Sequence, residues 1–418
     1  MNIVIVNHSD TQGGAAIVAM RLMHAMNALG HDVRMLVVQR GSDDDRVARM
    51  GNAFSRKWDF AVERLGIFLC NGRRRDTLFQ IDTCSHGHDV SDHPWVQQAQ
   101  VVMLHWVNQG TLSLHDVELL HRAGKRIVWV MHDMWNCTGV CHHARECDRY
   151  TSVCQQCPLL PSEGEDLSTT TQERKAALYG RVPIKFVAVS HWLEQCCRRS
   201  SLMRDCDISV IHNAFPADDF DSKRLHYEAI GIPRDAVVMA VGSRRLDDPA
   251  KGWDTLVALT RHIAQYRPEQ ASRLHLLLYG AVRDVQALDS LALRYTHLGA
   301  VHGTESINRV FRLSDIVLST SPWETLPTTL IEGMASGAVP VACGTGGHAD
   351  IVEHRRTGYL AAPGDLNDLA DGIEWAMNAH IDRETLHDEV AKRFDAATIA
   401  QQYAALCGDQ TNTSHTLK

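Results

Sequence analysis

Two glutamates, Glu324 and Glu332, stand eight positions apart in the run Trp323-Glu324-Thr-Leu-Pro327-Thr-Thr-Leu-Ile-Glu332-Gly333-Met-Ala-Ser-Gly337. An ionised carboxylate accepts at both oxygens, so each can take two hydroxyls of a sugar or ribose. Pro327 bounds the loop that carries the first. A helix opening near Thr328 places Glu332 about one turn in, Gly337 ends it, and Pro340-Val-Ala begins a buried strand. The free N–H groups at that helix start would face the loop, an arrangement suited to a phosphate. Hydroxyls beside a phosphate describe a nucleotide-linked sugar. The plainer reading is an ordinary β-α-β unit with one surface glutamate.

Other residues with chemical potential also follow apolar runs. His132-Asp133 comes after Ile127–Met131, and His105-Trp106-Val-Asn108 after Val101–Leu104. The alternative for His132 is a strand-end histidine satisfied by Asp133, and for His105 and Asn108 it is plain packing. Lys251 could serve as a helix cap, and Ser190 and Asn213 read as caps or hinges. Asp43-Asp44-Asp45 has the composition of a metal-binding triplet but reads as a solvated loop. Cys141, Cys147, Cys154 and Cys157 form a separate constellation, with Cys137, His142 and His143 nearby. The Cys-x2-Cys pair suits a tetrahedral ion, and four thiolates would close a structural zinc site with sulfurs converging on one point. Unpaired cysteines and disulfides are the alternatives.

These residues need elements to position them. Ile3–Val6 is a strand, followed by a loop with Gly13-Gly14, a helix over Ile17–Leu29 and a strand over Asp32–Val38. Further strands are expected at Val101–Leu104, Ile127–Met131, Phe186–Val189 and Ser209–Ile211. A second series covers Val237–Val241, Leu274–Leu278, Ile316–Leu318 and Val339–Ala342. Continuous apolar strands alternating with helices indicate parallel sheets covered on both faces. The fold class is therefore α/β, with two Rossmann-like doubly wound domains facing a cleft. Their expected extents are 1–215, carrying a Cys-rich loop at 137–157, and 216–395. A helix and polar tail at 396–418 completes the chain, the helix packing back on the first domain. Loops at the C-terminal strand ends of both domains would carry the ligand contacts.

At 418 residues, two domains are expected. A net charge of -8 argues against a duplex-coating nucleic-acid binder. No run reaches the roughly 18 apolar residues of a membrane span, and Met1–Val6 reads as a strand, not a signal peptide. The chain is expected in the cytoplasm, where its 12 cysteines would stay mostly reduced. Phe54, Trp58, Ala61, Leu65 and Leu69 fall on one side of a helix flanked by Arg56, Lys57, Arg64 and Arg73-Arg74-Arg75. Core packing is the default for that face, and a membrane-surface helix is the alternative.

The ordered set of motifs resembles the retaining, two-Rossmann-domain glycosyltransferases (the GT-B fold, family 4) over nearly the whole chain. Its marks are Gly13-Gly14, His132-Asp133, Ser190, Val210-Ile-His-Asn213, Val241-Gly242, Lys251-Gly252, Glu324…Glu332 and Gly344-Thr-Gly-Gly347 with Asp350. Within that family, His132-Asp-Met-Trp-Asn-Cys-Thr-Gly139 and the cysteines after it are similar to bacterial exopolysaccharide transferases of the colanic-acid type. The resemblance implies that Glu332 holds the ribose and Glu324 the donor sugar. Lys251 with Arg244 or Arg245 neutralises the diphosphate. Thr325, Leu326, Thr328 and Thr329 line sugar and phosphate. It implies further that Gly13-Gly14 lies between phosphate and acceptor and that His132 reaches the sugar. His105 and Asn108, by their position after a strand, should rim the same cleft on the acceptor side. The donor would be a GDP- or UDP-sugar, the acceptor a glycan or lipid-linked oligosaccharide. A lipid-linked acceptor would bring the chain to the inner face of the membrane. No catalytic cofactor is implied, because fixed cations can stabilise the leaving group. Two departures stand out: Thr325-Leu326-Pro327 replaces the glycines common after the first glutamate, and the loop from Ser243 to Lys251 is long.

Three other functions compete. An epimerase on the same fold would return an altered sugar still on its nucleotide. A non-catalytic sugar-nucleotide-binding subunit would have lost its site, yet Lys251, Glu324 and Glu332 are intact. A zinc-module binding protein would rest on the cysteines alone and leave the C-terminal half unexplained.

Overall fold

The structure is a computed structural model that describes residues 1–161, 166–225 and 231–408. The end of the polar tail expected at 396–418, from 409 onward, lies outside the described residues. The chain divides into two compact units: Met1–Ala214 together with the segment from Ala396 onward, and Phe215–Asp395.

The first unit is built from β1 (Asn2–Ser9), α1 (Gly14–Ala28), β2 (Asp32–Gln39), β3 (Val47–Arg49), α2 (Ala53–Cys70), α3 (Pro94–Gln98) and β4 (Val101–Leu104). It continues through α4 (Leu114–Arg122), β5 (Arg126–Met131), α5 (Leu167–Arg181), β6 (Ile184–Ala188), α6 (His191–Arg199) and β7 (Ile208–Val210). The strands form one parallel sheet in the order β3-β2-β1-β4-β5-β6-β7. β4 is buried at every residue because helices cover both faces, which is why its sequence is a plain apolar run. α1 buries Ala16, Val18, Ala19, Leu22, Met23 and Met26. Full burial of a Leu or Met side chain is worth about 1.5–3 kcal/mol.

The second unit contains β8 (Val237–Arg245), α7 (Trp253–Tyr266), α8 (Pro268–Arg273), β9 (Leu274–Ala281), β10 (Tyr295–His297), α9 (Thr304–Arg312) and β11 (Ile316–Ser319). It closes with α10 (Thr328–Ala335), β12 (Val339–Cys343), β13 (Tyr359–Ala361), α11 (Leu366–Asn378) and α12 (Arg383–Phe394). Its strands are again all parallel, in the order β10-β9-β8-β11-β12-β13. The chain then returns to the first unit as α13 (Ala396–Gly408), which packs on α1.

Each sheet therefore reverses direction once, between β1 and β4 and between β8 and β11. In open α/β sheets the crevice beyond such a reversal is where ligands bind. The ten expected strands all form. β3, β10 and β13 were not expected: each is a three-residue edge strand, too short to show a pattern.

The default reading of Phe54–Leu69 is corrected. That helix is α2, but Phe54, Trp58, Leu65 and Leu69 face outward. The buried face instead holds Glu63, Arg64 and Ile67. Arg64 pairs with buried Asp82 at 2.6 Å and donates to the Leu78 carbonyl at 2.7 Å. α2 is thus fixed by an internal ion pair, where a globular helix would normally use its apolar stripe. No helix among the described residues is long and apolar enough to cross a membrane.

A second buried cation holds the long loop after β5. Lys175 of α5 is fully buried and donates to the carbonyls of Trp135, Thr138 (3.1 Å) and Gly139 (2.9 Å). Its ammonium also stands 3.4 Å from the Trp135 ring centre. Burial pulls its pKa down to about 8, against an opposing influence from nearby cysteines. The unfolded chain, with an ordinary lysine, binds this proton more tightly, so stability should rise with pH between about 8 and 10.5. Lys175→Met should abolish that component. It should also leave three buried carbonyls without their donor, at about 1–3 kcal/mol each. Urea denaturation of both proteins across that pH range provides the check.

Candidate functional site

The second unit brings three loops to the C-terminal ends of adjacent strands. β8 leads to a single 3-10 turn, Pro249–Lys251, and β11 leads to the Glu324 loop. β12 leads to Gly344-Thr-Gly-Gly347. Across the β8/β11 reversal, Lys251 Nζ lies 2.7 Å from Glu324 Oε1. Burial pushes the Glu324 carboxyl up, but Lys251 outweighs it, helped by His348 and Ser321, and the carboxyl sits below its usual range. The carboxylate is therefore ionised at neutral pH.

Backbone geometry fixes this pair. Gly252 turns the chain into α7 with φ +78, and a Cβ there would stand 2.0 Å from the Thr320 carbonyl oxygen. Thr320 Oγ1 donates to the Gly252 carbonyl at 2.9 Å, tying the Lys251 turn to the end of β11. Gly346, φ +60, presses on the Glu324 loop from the other side, and its Cβ would meet the Glu324 carbonyl oxygen at 2.1 Å. The Gly347 N–H donates to that same oxygen at 2.8 Å. Only glycine tolerates both the left-handed backbone and the close approach.

Around this pair lie unfilled hydrogen-bonding groups. The hydroxyls of Thr325 and Thr345 are buried with no hydrogen-bond partner among the described residues. α10 begins at Thr328, behind Pro327, with no side chain capping it. The N–H groups around Thr328 and Thr329 are then available to an anion. Leu326 is buried and can contribute only its backbone. Glu332, in the second turn of α10, lies close enough to Tyr279 to help hold that phenol protonated. Of the two arginines, Arg245 pairs with Asp248 at 3.0 Å and Asp247 at 3.5 Å. Arg244 is exposed, with no side-chain partner among the described residues. His348 was not anticipated from sequence. It is buried beneath the Glu324 loop, its Nε2 3.1 Å from Ser319 Oγ and its Nδ1 against the Thr345 carbonyl. Burial lowers its pKa, so it supports the loop as a neutral ring.

The first unit repeats the arrangement around β1, β4 and β5. The Gly13-Gly14 loop follows β1, with Gly13 at φ +91. His105 follows β4 and His132 follows β5, and they meet with Nδ1 of His105 2.9 Å from Nε2 of His132. Burial lowers His132 to about 4, only partly opposed by Asp133, and lowers His105 well below its usual range with His132 contributing. Both rings are neutral at physiological pH. Asp133 does not pair with His132. Its carboxylate accepts from His142 Nδ1 at 2.8 Å, Trp106 Nε1 at 2.9 Å and the Trp135 N–H at 2.8 Å. The His142 partnership, with no periodic spacing to announce it, orients the loop beside His132.

One expectation is corrected. Asn108 is buried, its amide on Cys84 Sγ at 3.5 Å, so it packs inside the fold and does not present an acceptor contact. The four sulfurs of Cys141, Cys147, Cys154 and Cys157 line one cavity of about 20 Å³ but do not converge on a point. No three of them lie within 4.8 Å of one another, whereas ligands at a Zn–S distance of 2.3 Å stand roughly 3.8 Å apart. All four are free, which removes the disulfide alternative. Burial raises Cys141 to about 12 and Cys154 to about 11, with their neighbours' thiols adding to the effect. The Gly139 N–H donates to Cys154 Sγ at 3.2 Å. The acidic triplet behaves as a solvated loop, where Asp44 pairs with His24 at 2.7 Å.

Comparison with known proteins connects the second unit to a family. The profile of "Glycosyl transferases group 1" matches residues 235–379. Curated relatives include a glycogen synthase of Pseudomonas putida, 28% identical over 40% of this chain and 33% of its own length. A D-inositol 3-phosphate glycosyltransferase of Catenulispora acidiphila is 26% identical over 41% and 43% of the two chains. A mannosylfructose-phosphate synthase of Agrobacterium fabrum is 30% identical over 42% and 41%. The chain thus matches between about a third and two fifths of the length of these relatives. Among solved structures, Anabaena HepE in complex with UDP and glucose has a TM-score of 0.62 at 17% identity, covering 97% of this chain and 99% of its own. A sucrose-phosphate synthase of Thermosynechococcus elongatus has a TM-score of 0.65 at 16% identity, covering 97% of each chain. The two-sheet parallel α/β architecture is that of GT-B glycosyltransferase structures, and residues 235–379 match the group 1 glycosyltransferase profile.

The clamp on the Glu324 loop yields a local test. Gly346→Ala combines a left-handed backbone with a backbone clash and should cost about 1–3 kcal/mol. Gly364→Ala, at φ +77 but with nothing within 4 Å of the new Cβ, should cost about 1 kcal/mol. Denaturant midpoints of the two variants should fall in that order.

Proposed function

We propose that this chain is a retaining glycosyltransferase. It moves a hexose from a GDP- or UDP-linked donor to a glycan or lipid-linked oligosaccharide in bacterial surface polysaccharide synthesis. The observation that carries the reading is the charged Lys251–Glu324 pair, set at the reversal of the second sheet beside an uncapped helix start and two unpartnered threonine hydroxyls. The retaining course and the polysaccharide role rest on the family resemblance, the latter on the run from His132 to Cys157.

The chemistry assigns each group a task. Transfer breaks the bond between the anomeric carbon and the diphosphate oxygen, leaving negative charge on the diphosphate. Lys251 and the unpaired Arg244 supply positive charge there, which is worth most where charge develops. In the structure Lys251 is held by Glu324. An arriving diphosphate competes for the ammonium and frees the carboxylate to accept a sugar hydroxyl. Glu332 accepts the ribose hydroxyls. The backbone over Thr325–Thr329 binds phosphate and sugar except at Pro327, which has no N–H. Neutral His132, supported by His105, offers an uncharged hydrogen-bonding edge to the donor sugar, and the Gly13-Gly14 backbone stands by phosphate and acceptor.

Lys251→Ala should lower turnover about a hundredfold or more while leaving thermal unfolding unchanged. Glu332→Ala should chiefly weaken nucleoside diphosphate binding by calorimetry. Wild-type transfer by a folded Lys251→Ala protein would refute the assignment, as would a product in which an altered sugar stays on its nucleotide.

With side-chain cations at the leaving group, transfer should survive brief EDTA treatment. Prompt loss reversed by magnesium or manganese would contradict this. The cysteine cavity has room for one small occupant, and we assign it a structural zinc that draws the four sulfurs together on binding. Protein purified without chelators should then carry about one zinc per chain. Cys157→Ser should reduce zinc content and stability before it alters transfer. Absence of zinc together with freely reacting thiols would leave unpaired cysteines.

A further inference from the structure

α2 is inside out. Its buried positions include Glu63 and Arg64, while Phe54, Trp58, Leu65 and Leu69 are 75%, 58%, 56% and 57% exposed. These four, with exposed Ala61, recur at helical spacing and form a stripe from Phe54 to Leu69 that is roughly 22 Å long. Phe54 and Trp58 stack with their rings 6.1 Å apart, which makes one end a continuous aromatic surface. Phe79, 56% exposed, lies in the following loop with the Arg64 guanidinium 5.8 Å from its ring centre.

The polar underside explains how α2 stays in place with that stripe uncovered. Arg64 is clasped by Asp82 at 2.6 Å and lies 3.8 Å from Glu63. The Gln109 N–H donates to Asp82 at 2.9 Å, and Thr83 Oγ1 to Glu63 at 3.3 Å. Burying charge costs several kcal/mol per ion unless it is well paired. Turning the helix over would bury the apolar stripe and expose the ions, yet the fold does the reverse. The apolar face is therefore free for a partner outside the fold.

Charge at the edges identifies that partner. Lys57 is exposed one position before Trp58, and Arg73, Arg74 and Arg75 are exposed just beyond Leu69. Lys57, Arg73 and Arg75 have no side-chain partner among the described residues, and Arg74 pairs with Asp76 at 3.0 Å. Of the segment's other acids, Asp59 is engaged with His88 at 3.0 Å and Glu63 is buried. An apolar stripe with aromatic residues, bordered by unneutralised cations on an otherwise acidic chain, matches the boundary between headgroups and acyl chains of an anionic bilayer.

We propose that α2 docks the chain on an anionic lipid surface, with Phe54, Trp58, Leu65 and Leu69 entering the interface and Lys57, Arg73 and Arg75 meeting phosphate headgroups. The proposal is independent of the transfer reaction above, because binding is read without turnover.

The test is co-sedimentation of the full chain with vesicles of phosphatidylglycerol and phosphatidylethanolamine in equal parts, and with vesicles of pure phosphatidylcholine. The chain should bind the first and leave the second largely free, and added salt should weaken binding. Trp58→Ser combined with Leu65→Ser should reduce the partition coefficient about tenfold or more. Lys57→Gln, Arg73→Gln and Arg75→Gln together should reduce it roughly a hundredfold, since each surface cation contributes about fivefold. These positions are exposed, so thermal unfolding should match wild type, which shows that the loss is not misfolding. Failure to bind anionic vesicles, equal binding to both compositions, or wild-type binding by either variant would overturn the proposal. So would a solution dimer that Trp58→Ser converts to monomer, because the stripe would then be covered by a second copy of the chain.

Discussion

Parallel strands deliver every following loop to the same edge of a sheet, and a sheet that reverses its winding leaves two of those loops side by side. The Lys251–Glu324 pair exists because of that constraint. The residues lie far apart in sequence, on loops after β8 and β11, and the 2.7 Å contact closes the gap between them. Much of the surrounding sequence serves this approach. Gly252 and Gly346 remove side chains that would collide with the two loops. Gly333 lets α10 lie against β11, where a Cβ would meet Val317 at 2.5 Å. His348 fills the space beneath as an uncharged ring. The glycines and the histidine are thus parts of one support for a single ion pair.

The two units use opposite electrostatic means. Beside β11, a lysine holds a buried carboxylate in its ionised form. Beside β4 and β5, burial keeps two histidines neutral, and the nearby carboxylate is directed away from them to His142, Trp106 and Trp135. A charged pair suits a group whose charge changes during reaction. A neutral pair offers hydrogen bonds that hold their character across the physiological pH range.

The frame was legible in the sequence because parallel strands buried on both faces must be apolar throughout. Val101–Leu104 shows this at every residue. Edge strands such as Val47–Arg49 are too short and too mixed for that rule. Lys251 and Glu324 could be placed on loops at strand ends, and Glu332 on the helix after the second loop, because glycine and proline punctuate those segments. Support residues were harder to find. Lys175 and His348 look like ordinary helix and loop residues, and only the fold shows that three carbonyls converge on the first and that the second lies under Glu324. Asn108 misled because its position after a strand is right while its side chain points inward to Cys84. The face of α2 misled for a more general reason. Periodicity reveals that a helix has two sides, but which side is buried depends on partners distant in sequence, here Asp82.

The return of α13 to the first unit makes the second unit an insertion within the first. Residues 215–395 are synthesised between the sheet of the first unit and the helix that completes it. Phe215 and Asp395, at the two ends of the insertion, form a bridge to each other, so the chain leaves and returns at nearly the same point. On the ribosome the outer side of α1 must wait, uncovered, while an entire second sheet is made. The second unit has no such dependence and can finish first, as a domain that folds once its own residues have emerged. Assembly of the first unit is therefore governed by its last helix, and a nascent chain stopped before Ala396 would expose apolar surface on α1 to chaperones.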